Sequence, residues 1–542
     1  MAGQETFYSD STYLDNTYSD FPANNFGLNN VAMAKTVYTK SSGISQFALV
    51  SVFGRLMYSY ADRYLVTATL RGDGVSKFAP GRQWGMLPSV SAAWRISEEN
   101  FMKGNKIFDQ LKLRVGYGTT GNCNISNYMY VTGYSGGFYA INNQEVSTLT
   151  PGSTLANEKL QWEKTNSFNV GLDISVLHNR VNVTADFYNQ QANNLLLNNQ
   201  IPTSTGYSTQ FQNIGSIRNR GFELVVNSTN IRTKEFTWNT SFNISFNRSK
   251  VLALYGSGVG NDQLIDGNFI VKVGQRLGQF YGYQYDGVYT TDDFVQNANG
   301  TYSLKDGVIR LKGGNVATVK PGDIKFRSNV GEVDAKGNPV FSTGDRVAMG
   351  KGEPDCSGGI TNNFAYRGFD LSIFMNFVSG NKVFNANARR FYGPYLPNEN
   401  TFTAMANRFR LIDPATGKET SDLTMLATLN PGQYSGNQIW SLHSDNSKSI
   451  SDPAIDYFLE DGSFLRLNNI TLGYSLPASV VKKAGIYNVR LYATLNNIHT
   501  FTHYTGYDPE VSNSSKPTQK GGYDDSAYPR AKSFVVGLNV TF

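Results

Sequence analysis

Three short segments and two cysteines carry residue types that could do chemistry. The stretch "GDRVAMGKG" at 344–352 has the glycines and lysine of a phosphate loop. Its spacing is one residue too long, and Gly352 stands where a Ser or Thr hydroxyl would hold Mg²⁺. In "HTFTH", His499 and His503 lie four apart, a zinc-compatible spacing on a helix. Here the pair straddles a strand end and a loop, without the intervening Glu of a metalloprotease. "GSGVG" at 256–260 has no βαβ pattern around it and reads as a loop tip, not a dinucleotide fold. Cys123 and Cys356 give no metal framework and at most one disulfide; two separate loop thiols are the plainer reading. No nucleophile stands beside an identifiable base. The sequence points to no enzyme, no metal centre and no cofactor.

Binding is what remains. "ARRFYGPYLPNEN" brings together Arg389, Arg390, Phe391, Tyr392 and Tyr395; Trp440 follows, then "HYTGYDPE" with Tyr504 and Tyr507. Flat rings stack on sugar faces, and Asn, Asp and Arg bind hydroxyls. Arg389, Arg390, Tyr392, Tyr395, Trp440, Tyr504 and Tyr507 are therefore candidate contacts for a substrate or partner. The competing reading is that these aromatics pack the loops on each other.

The elements that must position these loops are strands. The chain has 542 residues, 34 Phe, 32 Tyr and 53 Gly, a composition that favours β structure with many turns. Mean hydropathy is −0.35, and no run approaches the ~20 apolar residues of a membrane helix. A net charge of +6 on scattered basic residues gives no footing for nucleic acid. In "SFNVGLDISVL", Phe168, Val170, Leu172, Ile174 and Val176 share one face, and Asn169, Gly171, Asp173 and Ser175 the other. "TWNTSFNISFN" and the terminal Phe534, Val536, Leu538, Val540, Phe542 series alternate alike. A soluble sandwich also alternates. Against it stand strands longer than the usual ~5–6 residues and a polar face of small, uncharged residues. The regular alternation of short and long connections matches a transmembrane antiparallel β-barrel.

About fifteen candidate strands are expected, near 45–60, 64–73, 86–95, 111–119, 167–177, 181–191, 213–231, 236–248, 267–273, 279–289, 358–366, 369–378, 463–475, 489–497 and 532–542. With the C-terminus on the periplasmic side, every long connection falls outside the cell and the chain begins on the outer side. The count is odd, whereas bacterial single-chain barrels have even numbers. One strand breaks its own pattern. In "EDGSFLRLNNITLGYSLP", Ile470, Leu472 and Tyr474 share one parity, and Leu465 and Leu467 take the other. Either a β-bulge near Asn468–Asn469 restores the face, or those leucines point inward. Outward Trp94 and Trp238 near strand ends fit an interface belt.

Several segments together resemble the SusC/RagA family of TonB-dependent outer-membrane transporters of Bacteroidota. They include "FGRLMYSYADRYLVTATLRGDGVSKFAPGRQWGMLPSVSAAWRISEENFM", "LKLRVGYGTTGN", "NRGFELVVN", "GYQYDGVYTT", "GGITNNFAYRGFDLSIFMNFVSGNKVFN", "NNIHTFTHYTGYDPEVS" and "YPRAKSFVVGLNVTF", in the family's order from about residue 45 onward. The resemblance implies an all-β fold, the C-terminal ~15 strands of a 22-stranded barrel, with the plug domain absent. Residues 1–44 would be an extracellular loop segment, and residues 45–542 the barrel. It implies import of oligosaccharides or peptides with a SusD-like surface lipoprotein. TonB–ExbB–ExbD would act through the plug region, and outer-membrane lipid would surround the wall. A self-contained passive porin is the alternative. Many relatives carry an Asp/Asn/Gly-rich "DxNGDG"-like loop, which looks like a cation-binding loop, after the "YDGVY" strand. Here Asp323, Asp334 and Asp345 remain without the dense alternation of oxygen ligands that Ca²⁺ needs.

Overall fold

Long period-2 segments become long strands. The computed structural model describes residues 1–22, 27–254, 262–313, 318–393, 399–436, 438–442, 454–482, 485–512 and 521–542. Its largest sheet has fourteen strands that neighbour one another in chain order. They are β1 (Ala2–Ser19), β2 (Thr36–Tyr60), β3 (Tyr64–Val75), β4 (Trp84–Arg95), β5 (Phe108–Asn122), β6 (Glu163–Val176), β7 (Val181–Asn193), β8 (Ser216–Arg232), β9 (Phe236–Ala253), β10 (Cys356–Tyr366), β11 (Phe369–Ser379), β12 (Phe464–Ser475), β13 (Asn488–Thr502) and β14 (Ser533–Thr541). The meander is that of an up-and-down barrel wall. No described helix is long and apolar enough to cross a membrane, which says nothing about strands that do.

Two expectations change. The segment expected to be a loop across 1–44 contains β1, which pairs antiparallel with β2 from Ala2↔Gly54 to Ser19↔Thr36. Its alternation is hidden because Tyr and Asp fall on both faces. Conversely, 267–273 and 279–289 are not wall strands. Phe269, Ile270 and Val271 are all buried, so the segment is covered on both sides and lacks a solvated face. It joins Gln263–Asp266, Gln279–Tyr283, Val347–Lys351 and Ala454–Ile455 in a separate five-stranded sheet. One strand gained and two removed make the wall count even. The short side then holds 61–63, 96–107, 177–180, 233–235, 367–368 and 476–487. The other side holds the long connections, including 123–162, 254–355 and 380–463.

Tight turns are built where the backbone demands. Arg367 and Gly368 link β10 to β11 with φ of 44° and 90°, the two positive values of a type I′ hairpin. Beside the short turns sit aromatic groups. Tyr64 stacks between Tyr60 and Trp94 at 6.4 and 6.5 Å, and Glu99 accepts from the Tyr64 hydroxyl and Trp94 Nε1. Trp238 stacks on Phe364 at 5.6 Å, and its Nε1 donates to Asn362 Oδ1. An apolar ring with one polar tip suits a membrane–water boundary.

The parity break in β12 is a bulge. Phe374 faces Asn469 and Met375 faces Leu467, so Asn468 is passed over on the β11 side. On the β13 side Leu467 faces His499 while Asn469 faces Asn496. Asn497, within that irregularity, takes a φ of 50°, which Asn tolerates better than most residues. Beyond the bulge Leu465 pairs with Phe377 and Phe501, continuing the apolar row of Ile470, Leu472 and Tyr474. The apolar face therefore never changes sides. The extra residue keeps Leu465 and Leu467 outward and turns Arg466 inward, where it is 2 % exposed.

By contacts the chain divides into two units. One comprises mainly Met1–Ile174 and Asp186–Asn219; the other comprises Ser175–Ala185, Arg220–Leu254 and Gly260–Phe542. The first has a small core of Val75, Phe78, Ile125, Leu160 and Trp162. Ideal Cβ atoms on Gly85 and Gly121 would stand 3.0 and 2.8 Å from the Trp162 ring, so those glycines make its seat. The second has a larger core in its long connections, around Phe280, Phe384, Phe409, Trp440, Ile455 and Phe458. Cys123 and Cys356 are both free thiols.

Candidate functional site: the ion-paired inner wall and the loop layer

The inward strand faces do more than display small polar groups. In the first unit, Arg71 reaches Asp73 at 2.7 Å, Ser51 Oγ at 2.8 Å and Glu5 at 3.0 Å. Arg71 and Asp73 line a cavity of about 600 Å³ with Thr67, Thr69, Ser89 and Asn169. Arg114 Nε meets Asp173 at 2.9 Å and Nη1 meets Asp186 at 3.0 Å. Gly171 lies beneath this pair; a Cβ there would stand 2.6 Å from the Arg114 guanidinium carbon. In the second unit, Arg490 Nε meets Asp370 at 2.9 Å, and a Cβ on Gly473 would lie 2.5 Å from both partners. Asp355 gathers Arg276 at 2.9 Å, Lys351 at 3.1 Å and Arg248 at 3.7 Å. Glycine on the polar face thus makes room for an arginine lying across it. Arg466 donates to Asp508 at 2.5 Å, Glu510 at 3.0 Å and Thr500 at 3.1 Å. Arg530 completes that cluster, 2.9 Å from Glu510.

The loop aromatics separate into packed and exposed. Helix α1 (Ala386–Phe391) carries Arg389 and Arg390 in its last turn, with Asn385 as N-cap. The Arg389 guanidinium lies 5.7 Å from the Phe384 ring, and Arg390 is paired with Glu399. Trp440 is 1 % exposed. Its Nε1 donates to the Tyr392 carbonyl at 3.1 Å, and its ring meets those of Tyr457, Phe458, Tyr285 and Tyr392 at 5.0–6.0 Å. Burial pushes the Tyr285 phenol up. Tyr504 is buried too. Burial and its hydrogen bond to Asp524, at 2.7 Å, raise its phenol well above the ordinary tyrosine range. The structure brings Arg389, Tyr392 and Trp440 around one core, in which Trp440 is an internal anchor with no face open to a sugar. Tyr507 is 74 % exposed. Tyr395, like the "GSGVG" stretch, lies outside the described residues. Tyr285 and Tyr457 escaped sequence reading because their partners lie far away in the chain.

The acidic residues of the loop after the "YDGVY" segment bind backbone. Asp345, fully buried, accepts from the amides of Asn329 at 2.6 Å, Ser342 at 2.7 Å and Val330 at 2.8 Å. Burial opposes its ionisation, but these donors and the Ser328 hydroxyl outweigh that and hold its carboxyl below the usual range. Asp334 accepts from the amides of Asn338 and Lys336, which lower it likewise. Asp323 accepts from the Lys320 amide at 2.9 Å. All three carboxylates accept hydrogen bonds from backbone N–H groups of their own loop.

Comparison with known proteins agrees with this architecture. The family model described as "TonB dependent receptor-like, beta-barrel" matches residues 2–323. TonB-dependent receptor P3 of Formosa agariphila is 32 % identical over 521 residues, covering 93 % of this chain and 46 % of the relative. TonB-dependent receptor SusC of Bacteroides thetaiotaomicron is 32 % identical over 514 residues, covering 91 % and 44 %. The chain spans about half the length of the curated relatives it matches. Among solved structures, the RagAB peptide importer in its closed-closed state superposes with a TM-score of 0.75 at 22 % identity, over 100 % of this chain and 53 % of that one. The even meander, the polar inner face and these matches together place the chain in the TonB-dependent receptor β-barrel family of the outer membrane, among SusC-type relatives.

Proposed function

We propose that this chain forms the wall and much of the outer loop layer of a SusC-like importer of oligosaccharides or peptides, working with a SusD-like surface lipoprotein and driven through TonB. The observation that carries the reading is the match of the barrel family model to the strands whose inner faces bear the ion-paired groups around Arg71 and Arg114. A wall knitted by charged pairs suits a lumen that holds a moving internal part and passes polar cargo. Among the described candidates, Tyr507 and Arg390, the latter paired with Glu399, are the contacts left at the loop surface. The candidates Arg389, Tyr392, Trp440 and Tyr504 act by holding the layer's shape. The test is uptake of labelled oligosaccharide and labelled peptide mixtures by cells with and without the gene, together with affinity purification of the tagged chain. The reading expects one substrate class to lose uptake and one lipoprotein to co-purify in equal amount. Unchanged uptake of both classes would refute it.

A further inference from the structure

The outward faces of β8 and β9 change character at their outer ends. Along β9, Trp238, Phe242, Ile244 and Phe246 lie on one face, and Arg248 and Lys250 continue that row. Ser249 between them is buried and donates to Glu353 at 2.5 Å, while both cations are exposed. Along β8, Gly221 is buried and its neighbours Arg220 and Phe222 are exposed. Ser245 Oγ donates to Glu223 at 3.4 Å, and Asn230 Nδ2 donates to Thr240 Oγ1 at 2.7 Å. That register sets Arg220 opposite Arg248 and Lys250. Three cations thus share one patch, just beyond the apolar side chains of Phe222, Ile244 and Phe246.

Height along the wall says what the patch faces. Trp238 belongs to the aromatic groups beside the short turns, stacked on Phe364. Arg248 stands ten residues further along β9. Ten residues at ~3.4 Å each, on a strand tilted by ~40°, climb about 26 Å, which matches the ~25 Å apolar band of an outer-membrane barrel. Arg248 and Lys250 therefore stand at the headgroup level of the outer leaflet, where an outer membrane carries phosphorylated glycolipid. Like charges opposite each other on paired strands repel, and an anion held between them replaces that repulsion by attraction. The carboxylates beside the patch are engaged. Glu353 accepts from Asn247 and Ser249. Asp355 holds Arg276 at 2.9 Å and Lys351 at 3.1 Å, with Arg248 farther away at 3.7 Å and its side chain 63 % exposed. Guanidinium forks match phosphate oxygens, and an ammonium adds a point charge. We propose that Arg220, Arg248 and Lys250 form a binding site for the phosphate of an outer-leaflet lipopolysaccharide headgroup, whose acyl chains run along Phe222, Ile244 and Phe246. The site rests on the barrel's place in the outer membrane and is independent of what is imported.

The experiment is native mass spectrometry of protein purified from its native outer membrane and washed free of lipid in non-ionic detergent. The probes are monophosphoryl lipid A, the same glycolipid without its phosphate, and inorganic phosphate as competitor. Wild type should bind the phosphorylated lipid about tenfold or more tightly than the dephosphorylated one. Arg248→Gln and Lys250→Gln should each weaken binding about fivefold, and the double variant about tenfold or more. Arg367→Gln removes an exposed cation at a short turn and should leave binding unchanged. Heat-modifiable gel migration should be that of wild type in every variant. Equal affinity for the two lipids, a double variant that binds like wild type, or an equal loss in Arg367→Gln would each overturn the site. Displacement of the lipid by equimolar inorganic phosphate would overturn it too, because the patch would then hold a free anion.

Discussion

Replacing Arg466 by Met tests how the wall holds the loop that follows β13. The side chains of Arg466 and Asp508 are 2 % and 6 % exposed and 2.5 Å apart. Removing one partner of such a buried pair leaves an uncompensated charge, at a cost of about 3–5 kcal/mol. Arg530 remains 3.5 Å from Asp508 and 2.9 Å from Glu510, which argues for the lower end, about 3 kcal/mol. At 1.36 kcal/mol per decade, opening of the 503–512 segment becomes about a hundredfold more frequent. Limited proteolysis of the folded protein reads this directly when opening is fast relative to cleavage. Arg466→Lys should recover only part of the protection, because an ammonium lacks the planar fork that spans two carboxylates. Arg466→Met combined with Asp508→Asn should cost less than the sum of the two single changes. Cleavage within threefold of wild type in Arg466→Met would show that this pair does not hold the segment, as would additive losses in the double variant.

Other expectations concern the wall and one loop. Leu538, opposite Leu491 in the β13–β14 ladder, is exposed on the lipid face. Leu538→Arg should cost about 2–4 kcal/mol if near the midplane, and Asn539→Arg on the inner face less, by denaturant unfolding in bilayers. Deleting Asn468 should turn Leu465 and Leu467 inward and Arg466 towards lipid, abolishing the heat-modifiable folded band. Gly473→Ala should displace the Arg490–Asp370 pair that lies over it, seen as lost thermal stability that Gly54→Ala, with nothing within 4 Å, does not show. Asp345 is held below its ordinary pKa, so its contribution is present above the unfolded value of about 3.9. That contribution is lost as pH falls through the lower folded value. Amide exchange across 328–345 should therefore accelerate in acid below about pH 4, and Asp345→Asn should remove that dependence.

Legibility in the sequence followed the range of the forces involved. β6, β9 and β14 are readable because lipid outside and a polar lumen inside impose a period of two on every residue. β1 is not, because Tyr, Ser and Asp satisfy either environment. The run "FIVKV" at 269–273 resembles a strand and is one, but periodicity alone cannot say that both faces are buried. The β12 parity break narrowed to two outcomes from sequence, and the register through Asn468 decided for the bulge. The ion pairs were out of reach, since Arg114 and Asp173 lie 59 residues apart and meet only through strand pairing. Among the loop residues, Trp440 looked like a platform for sugars because its type suits one. Its burial comes from Tyr457, Phe458 and Tyr285, which no local pattern connects to it.

The proposed import is energised through TonB and so depends on the proton-motive force. Uptake of the labelled substrate class should be measured in intact cells before and after a protonophore, alongside the ion conductance of the purified protein in planar bilayers. Saturable uptake that collapses when the proton-motive force is removed is the expected result. Uptake unaffected by the protonophore, with steady open-channel conductance, would contradict it in favour of a passive pore.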